Sequence, residues 1–138
     1  MVQHNMMIPQ YLFVYGTLRP HLVSGEARQV LVEMKVVGSA TVQGRLYNFG
    51  DFPGVTTGSG IVHGDLLRLA DAEQLTPLDD YEECGGLSPL FSRSRINALL
   101  PNGLYVPAYI YLYNRSTKPG IPITSGDYGQ YIQERFDY

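Results

Sequence analysis

Glycine and proline set the limits on what this chain can become. Fifteen Gly and nine Pro fall so regularly through 138 residues that long helices have few places to form, and the intervals between them suit short strands and turns. The first clear element is Tyr11 to Tyr15, YLFVY, an aromatic and β-branched run of buried-strand length closed by Gly16. Ala40 to Tyr47 and Ile61 to Leu69 read as two more strands, with NFGDFPGVTTGSG between them as a loop; Gln29 to Val37 is ambiguous. Phe91 to Leu100 and Leu104 to Tyr113 flank Pro101-Asn102-Gly103, where Asn and Gly supply the left-handed backbone of a tight hairpin. Two stretches look helical. His21 to Gln29 is short, a turn of helix after the first strand. Asp71 to Glu83 contains Pro77, which lacks an amide proton, so a break is expected there with Thr76 as N-cap and Pro77 at the first helical position. The fold class is therefore α+β: a small mixed, partly closed β-barrel of about six strands with two or more short flanking helices. We read residues 1–138 as one domain, with 1–9 and 132–138 as flexible ends.

Composition narrows the partners. Hydrophobic residues make up 44%, enough for a single core, whereas charged residues make up 17% against a usual share of about 25%. A net charge of -3 leaves no basic excess for phosphate backbones, so nucleic acid is not an expected partner. Cys84 is the single cysteine, so no intrachain disulfide can form and a cytoplasmic location is expected. MVQHNMMIPQ lacks a basic stretch followed by an apolar run, and nothing later approaches the roughly 18 apolar residues of a spanning helix, so no membrane partner is expected either. Nothing in the sequence separates a monomer from a weak dimer.

Several kinds of chemistry lack their local signatures. There is no GxSxG elbow, His4, His21 and His63 are scattered, and no HExxH or CxxC spacing marks a metal site. His63, inside a strand pattern, reads as structural, and Gly54 to Gly60 lacks the lysine of a phosphate-binding loop and reads as a connection. Two places stand out instead. In FVYGTLRP a buried strand runs into Gly16-Thr17-Leu18 and stops at Pro20; such a turn either merely links elements or presents backbone amides to a carboxylate or developing oxyanion. LDDYEE holds four carboxylates, and at about 100° per residue Leu75, Leu78 and Glu82 share one stripe while Asp80 and Glu83 point away. Asp79 lies at the edge of that stripe, placed to cap or brace the short helix. An inward Glu82 in apolar surroundings has its charged form disfavoured and becomes a general acid/base candidate; the alternative is a buried Glu82 paired with Arg93 or Arg95.

Taken together, FVYGTLR, LYNFGDFPG, LDDYEEC before an arginine-bearing strand, and AYIYLYN followed by ITSGDY resemble the γ-glutamylcyclotransferase-like (avirulence-induced-gene-like) family, closest in motif to the γ-glutamylamine cyclotransferases. The likeness runs from Tyr11 to about Tyr131, and YGTL with a downstream LDDYE is its most specific pairing. It implies a mixed barrel whose Tyr15, Gly16, Thr17 and Leu18 form the substrate-holding loop and face Glu82 as the catalytic acid/base. It also implies a small-molecule γ-glutamyl substrate, closure to 5-oxoproline with release of an amine or amino acid, and no metal or organic cofactor. A binding protein of the same fold that has lost catalysis is the alternative. The chain departs from the family pattern at Leu90-Phe91, where many members carry a tyrosine before the arginine-bearing strand.

The aromatic set is lopsided, with eleven Tyr, five Phe and no Trp. Tyr105, Tyr109, Tyr111 and Tyr113 alternate with Leu104, Val106, Ala108, Ile110 and Leu112, so one strand face is phenolic and the other aliphatic. The phenolic face reads either as an amphipathic outer surface or as a pocket lining, and Tyr15, beside the Gly16 turn, as a pocket residue.

Overall fold

The computed structural model describes residues 9–16, 19, 31, 33–81 and 90–136. Along the chain run β1 (Gln10–Val14), β2 (Lys35–Asn48), β3 (Pro53–Leu69), a 3-10 turn (Ala72–Gln74), α1 (Leu75–Tyr81), β4 (Phe91–Leu99), β5 (Tyr105–Tyr113), β6 (Ile121–Pro122) and α2 (Tyr128–Phe136). The sheet order is β3-β1-β5-β4-β2-β6, and β2 pairs again with β3, so five strands close into a barrel and β6 extends the edge of β2. Among the described strands β1 and β5 pair in parallel, through Leu12 and Tyr109; β1 against β3, β2 against β3 and β4 against β5 are antiparallel.

The long β2–β3 hairpin gives the barrel its curvature. Register slips between Val36 and Gly38 and between Gln43 and Arg45, each an irregularity that bends and twists a strand enough to bring distant edges together. This corrects the expected loop from Asn48 to Gly60: only Phe49–Phe52 turns, and Pro53 begins a strand that pairs with Asn48 and continues through the glycines to Leu69. Gly58 and Gly60 take positive φ of 152° and 119°, so glycine here accommodates strand irregularity rather than ending the strand. The Pro101-Asn102-Gly103 hairpin forms where expected, with φ of 89° at Gly103 and the Leu104 amide donating to Asn102 Oδ1 at 3.0 Å.

Around Pro77 the helix differs from expectation. Asp71, not Thr76, is the cap: its side chain accepts from the Glu73 amide while Gln74 reaches back to the Asp71 backbone. The 3-10 turn runs directly into α1, and Pro77 sits in the first turn of the α-helix, where a missing amide proton costs little because the first amides of a helix are not fully paired within it. Helix α2 has no counterpart among the expected helices, and His21 to Gln29 lies outside the described residues.

Alternation sorts the strand residues into two apolar layers. Phe13, Tyr15, Val42, Leu46, Val55, Val62, Leu66, Ala108 and Ile110 fill the barrel. Leu12, Val14, Leu67, Leu69 and Tyr111 face outward and are covered by Leu75 and Leu78 of α1 together with Leu31 and Met34. The phenolic face of β5 is thus outside the barrel yet is no uniform outer surface: Tyr105 is 67% exposed and Tyr111 only 3%, because helix α1 lies over part of it.

Candidate active site

The first strand delivers the candidate loop. Tyr15 is buried with its ring in the barrel layer, and its hydroxyl donates to the Tyr111 carbonyl at 2.7 Å, fastening the end of β1 to β5. Gly16 follows directly against the Pro53 ring, so close that a Cβ at position 16 would overlap Pro53 Cγ. The Arg19 amide donates to the Gly16 carbonyl at 2.9 Å, the closing bond of a turn that begins at Gly16 and ends at Arg19. Thr17 and Leu18 themselves lie outside the described residues.

Arg19 anchors the far side of that turn. Its Nε meets Asp65 Oδ2 of β3 and its Nη1 meets Asp127 Oδ1, both at 3.0 Å, and its side chain is 12% exposed. One guanidinium therefore ties the turn to the barrel wall and to the residue preceding α2. Sequence reasoning missed this cluster, since its three members are far apart in the chain; the available signal was an arginine directly after the YGTL segment.

A second polar group holds α1. Asp79 Oδ1 accepts from the Tyr111 hydroxyl at 2.8 Å, and Asp79 Oδ2 faces Arg93 Nη1 of β4 at 3.3 Å. Of the two roles open to Asp79, cap or brace, these contacts are those of a brace, and Arg93, one of the two arginines expected as a partner for Glu82, is engaged by Asp79. Arg93 and Arg95 both lie over the Tyr109 ring, at 5.3 and 4.6 Å from its centroid. Leu75 and Leu78 are fully buried, so the stripe that selected Glu82 faces the core as far as it is described. Glu82 is the residue directly after α1 and lies outside the described residues.

Aromatic rings gather around the Phe49–Phe52 turn that precedes Pro53. Phe49 stacks on Tyr113 at 4.0 Å, and Phe52, two residues after Gly50, meets Phe91 edge-on at 5.7 Å. Phe91, where a hydroxyl was noted as missing, is 5% exposed within the outer apolar layer, an environment that a ring without a polar tip satisfies. His63 is exposed on β3 while its backbone amide donates to the Gly126 carbonyl at 2.8 Å. Among the described residues no group of three or more His, Cys, Asp or Glu is arranged to hold a metal ion, and no helix is long and apolar enough to cross a membrane.

Because Tyr111 uses its carbonyl for Tyr15 and its hydroxyl for Asp79, a hydrogen-bonded path joins the start of the glycine turn to helix α1, which precedes Glu82 in the chain. Replacing Asp79 by Ala removes the acceptor and the ion pair together, and is expected to lower stability by about 1–2 kcal/mol. Asp79→Asn keeps a neutral acceptor for Tyr111 and is expected to cost less than about 1 kcal/mol, as befits a partly exposed pair. Urea unfolding midpoints of the two variants check the order; equal losses would mean that Tyr111 gains nothing from Asp79.

A closed barrel whose first strand ends in a glycine turn, with an acid-bearing helix packed on its outer face, defines a γ-glutamylcyclotransferase-type fold. The solution structure of ytfP from Escherichia coli matches with a TM-score of 0.64 at 30% identity, covering 86% of this chain and 95% of that one. YkqA from Bacillus subtilis matches with a TM-score of 0.73 at 23% identity, covering 95% of this chain but 44% of that longer one, and an AIG2-like protein from Mus musculus with 0.62 at 20% identity, covering 80% of each. In sequence, the gamma-glutamylcyclotransferase family protein YtfP of Escherichia coli K12 is 30% identical over 118 residues, 85% of this chain and 94% of the relative. The family model described as gamma-glutamyl cyclotransferase, AIG2-like, matches residues 12–130, and the chain belongs to that family. Membership carries a γ-glutamylcyclotransferase-type function in its general form.

Proposed function

We propose that this protein is a cofactor-independent enzyme that cyclises a γ-glutamyl group to 5-oxoproline, with Glu82 as general acid/base and Tyr15, Gly16, Thr17 and Leu18 as the substrate-holding segment. The observation that carries the reading is the coupling described above: the turn at Gly16 and the helix leading into Glu82 are braced against the same residue, Tyr111. In the reaction the α-nitrogen attacks the γ-carbonyl carbon of the same group, a C–N bond closes the five-membered ring, and the bond to the departing nitrogen breaks. Glu82 takes the proton lost by the attacking nitrogen and returns it to the leaving one, so the balance closes without another reactant. The amides of the turn hold the α-carboxylate, and fixing both ends of one molecule replaces much of the entropy cost of bringing them together.

The test is incubation of the purified protein with γ-glutamyl amino acids, γ-glutamyl amines and γ-glutamyl peptides, followed by measurement of 5-oxoproline. Release from at least one class is expected. Saturable binding of these compounds without release would identify a binding protein of the same fold instead.

A further inference from the structure

We propose that Arg19 is a positioning residue for the substrate-holding turn, and that Asp127 at the start of α2 is the counter-ion through which the helix takes part in that positioning. The inference rests on the cyclotransferase reading of the 15–18 segment and adds to it a support from outside the barrel. Arg19 spans two carboxylates with two different nitrogens, Nε to Asp65 and Nη1 to Asp127, and side-chain exposures of 12%, 16% and 27% leave the cluster only partly screened by water. Its own amide closes the turn onto the Gly16 carbonyl. The same side chain therefore fixes where the turn ends, while Pro53 and Tyr111 fix where it begins.

Asp127 has two tasks that can be separated. Its Oδ1 accepts from the Gln130 amide at 3.1 Å as the N-cap of α2, and the same oxygen faces Arg19. Gly126, directly before it, has φ of 70° and packs on the backbone of Ile61, so α2 starts from a fixed point on β3 and does not swing freely to follow the arginine. Serine caps helices as well as aspartate does but is too short and uncharged to serve the guanidinium. Asp127→Ser thus keeps α2 and withdraws the counter-ion; Asp127→Asn retains a neutral oxygen for both tasks.

Two measurements are made on both variants and the wild type. Hydrogen exchange at the Arg19 amide reads the turn without reference to activity, and kcat/KM is taken with the γ-glutamyl compound that the wild type turns over fastest. In Asp127→Ser the Arg19 amide is expected to exchange about tenfold faster and kcat/KM to fall about tenfold, the size of one lost charge-assisted hydrogen bond, with Asp127→Asn between it and the wild type. The midpoint of the pH–rate profile is expected to stay in place, because Glu82 is untouched. Unchanged exchange at Arg19 overturns the proposal, and so does faster exchange with kcat/KM per folded molecule unchanged. If the wild type releases no 5-oxoproline from any compound, the cyclotransferase reading fails by itself, and the exchange at Arg19 still decides whether Asp127 holds the turn.

Discussion

Glu82→Gln is expected to reduce 5-oxoproline formation by about 10²–10⁴-fold while leaving the folded structure and its thermal midpoint close to wild type, the loss typical of removing a general acid/base. Gln matches Glu in size and can still hydrogen-bond, so substrate binding should change only a few-fold, and the loss should fall on kcat rather than on KM. It cannot accept a proton from the attacking nitrogen. The limb of the pH–rate profile that reports the carboxyl should therefore vanish from whatever activity is left. Circular dichroism, a melting curve and the kinetics are sufficient. Turnover within a few-fold of wild type would remove Glu82 from the mechanism and return it to the role of a paired structural acid.

The parts of the fold that were legible in sequence are those where one local signal dominates. YLFVY has no polar residue between two turn signals, and the PNG triplet can do little except turn, so β1 and the β4–β5 hairpin follow directly. The glycines from Gly54 to Gly60 misled because glycine has the same local meaning in a loop and in an irregular strand. What decides between them is the 14-residue β2, which offers a partner edge along its full length, and pairing across a hairpin this long is invisible in a window of ten residues. Pro77 misled for the opposite reason. Its rule is sound, but the true cap lies six residues earlier at Asp71, and the proline then falls within the first helical turn.

The site divides along the same line. The YGTL turn and the stripe through Leu75 and Leu78 were local patterns, and the observed burial of those leucines follows from the helical period. Asp79 was readable as a cap or a brace only because it sits at the edge of that stripe, and its partners Tyr111 and Arg93, which make it a brace, come from two other strands. Arg19, Asp65 and Asp127 carry no shared pattern: Asp65 and Asp127 are each an ordinary acid until the barrel closes and brings β3 and the start of α2 to the same guanidinium. The phenolic stripe of β5 had an undecided direction because its two faces differ in chemistry and not in hydrophobicity. The packing of α1 decided it for Tyr111, which ends up under the helix, and left Tyr105 at the surface.

Gly16→Ala tests the turn from its other end and is expected to lower both stability and turnover, by about 3 kcal/mol, the upper part of the range for overpacking, and by about a hundredfold, the effect of displacing a reactive arrangement by an ångström. The backbone at Gly16 is not among the positive-φ glycines, so alanine can adopt its conformation; among the described residues the obstacle is the Pro53 ring. A Cβ at position 16 would overlap Pro53 Cγ and lie 3.4 Å from Cδ, but 3.7 Å from Pro53 Cβ, an ordinary contact. Pro53→Ala removes the two nearer atoms and keeps the third. The double variant Gly16→Ala/Pro53→Ala should therefore regain most of what Gly16→Ala loses, giving a favourable coupling of about 2 kcal/mol in a double-mutant cycle and recovery of turnover to within about tenfold of Pro53→Ala. Additive losses would mean that glycine is needed at position 16 for a reason other than room, such as direct approach of substrate to the backbone. The cycle thereby separates a glycine kept for its fit against the barrel from one kept for what it leaves open to the ligand.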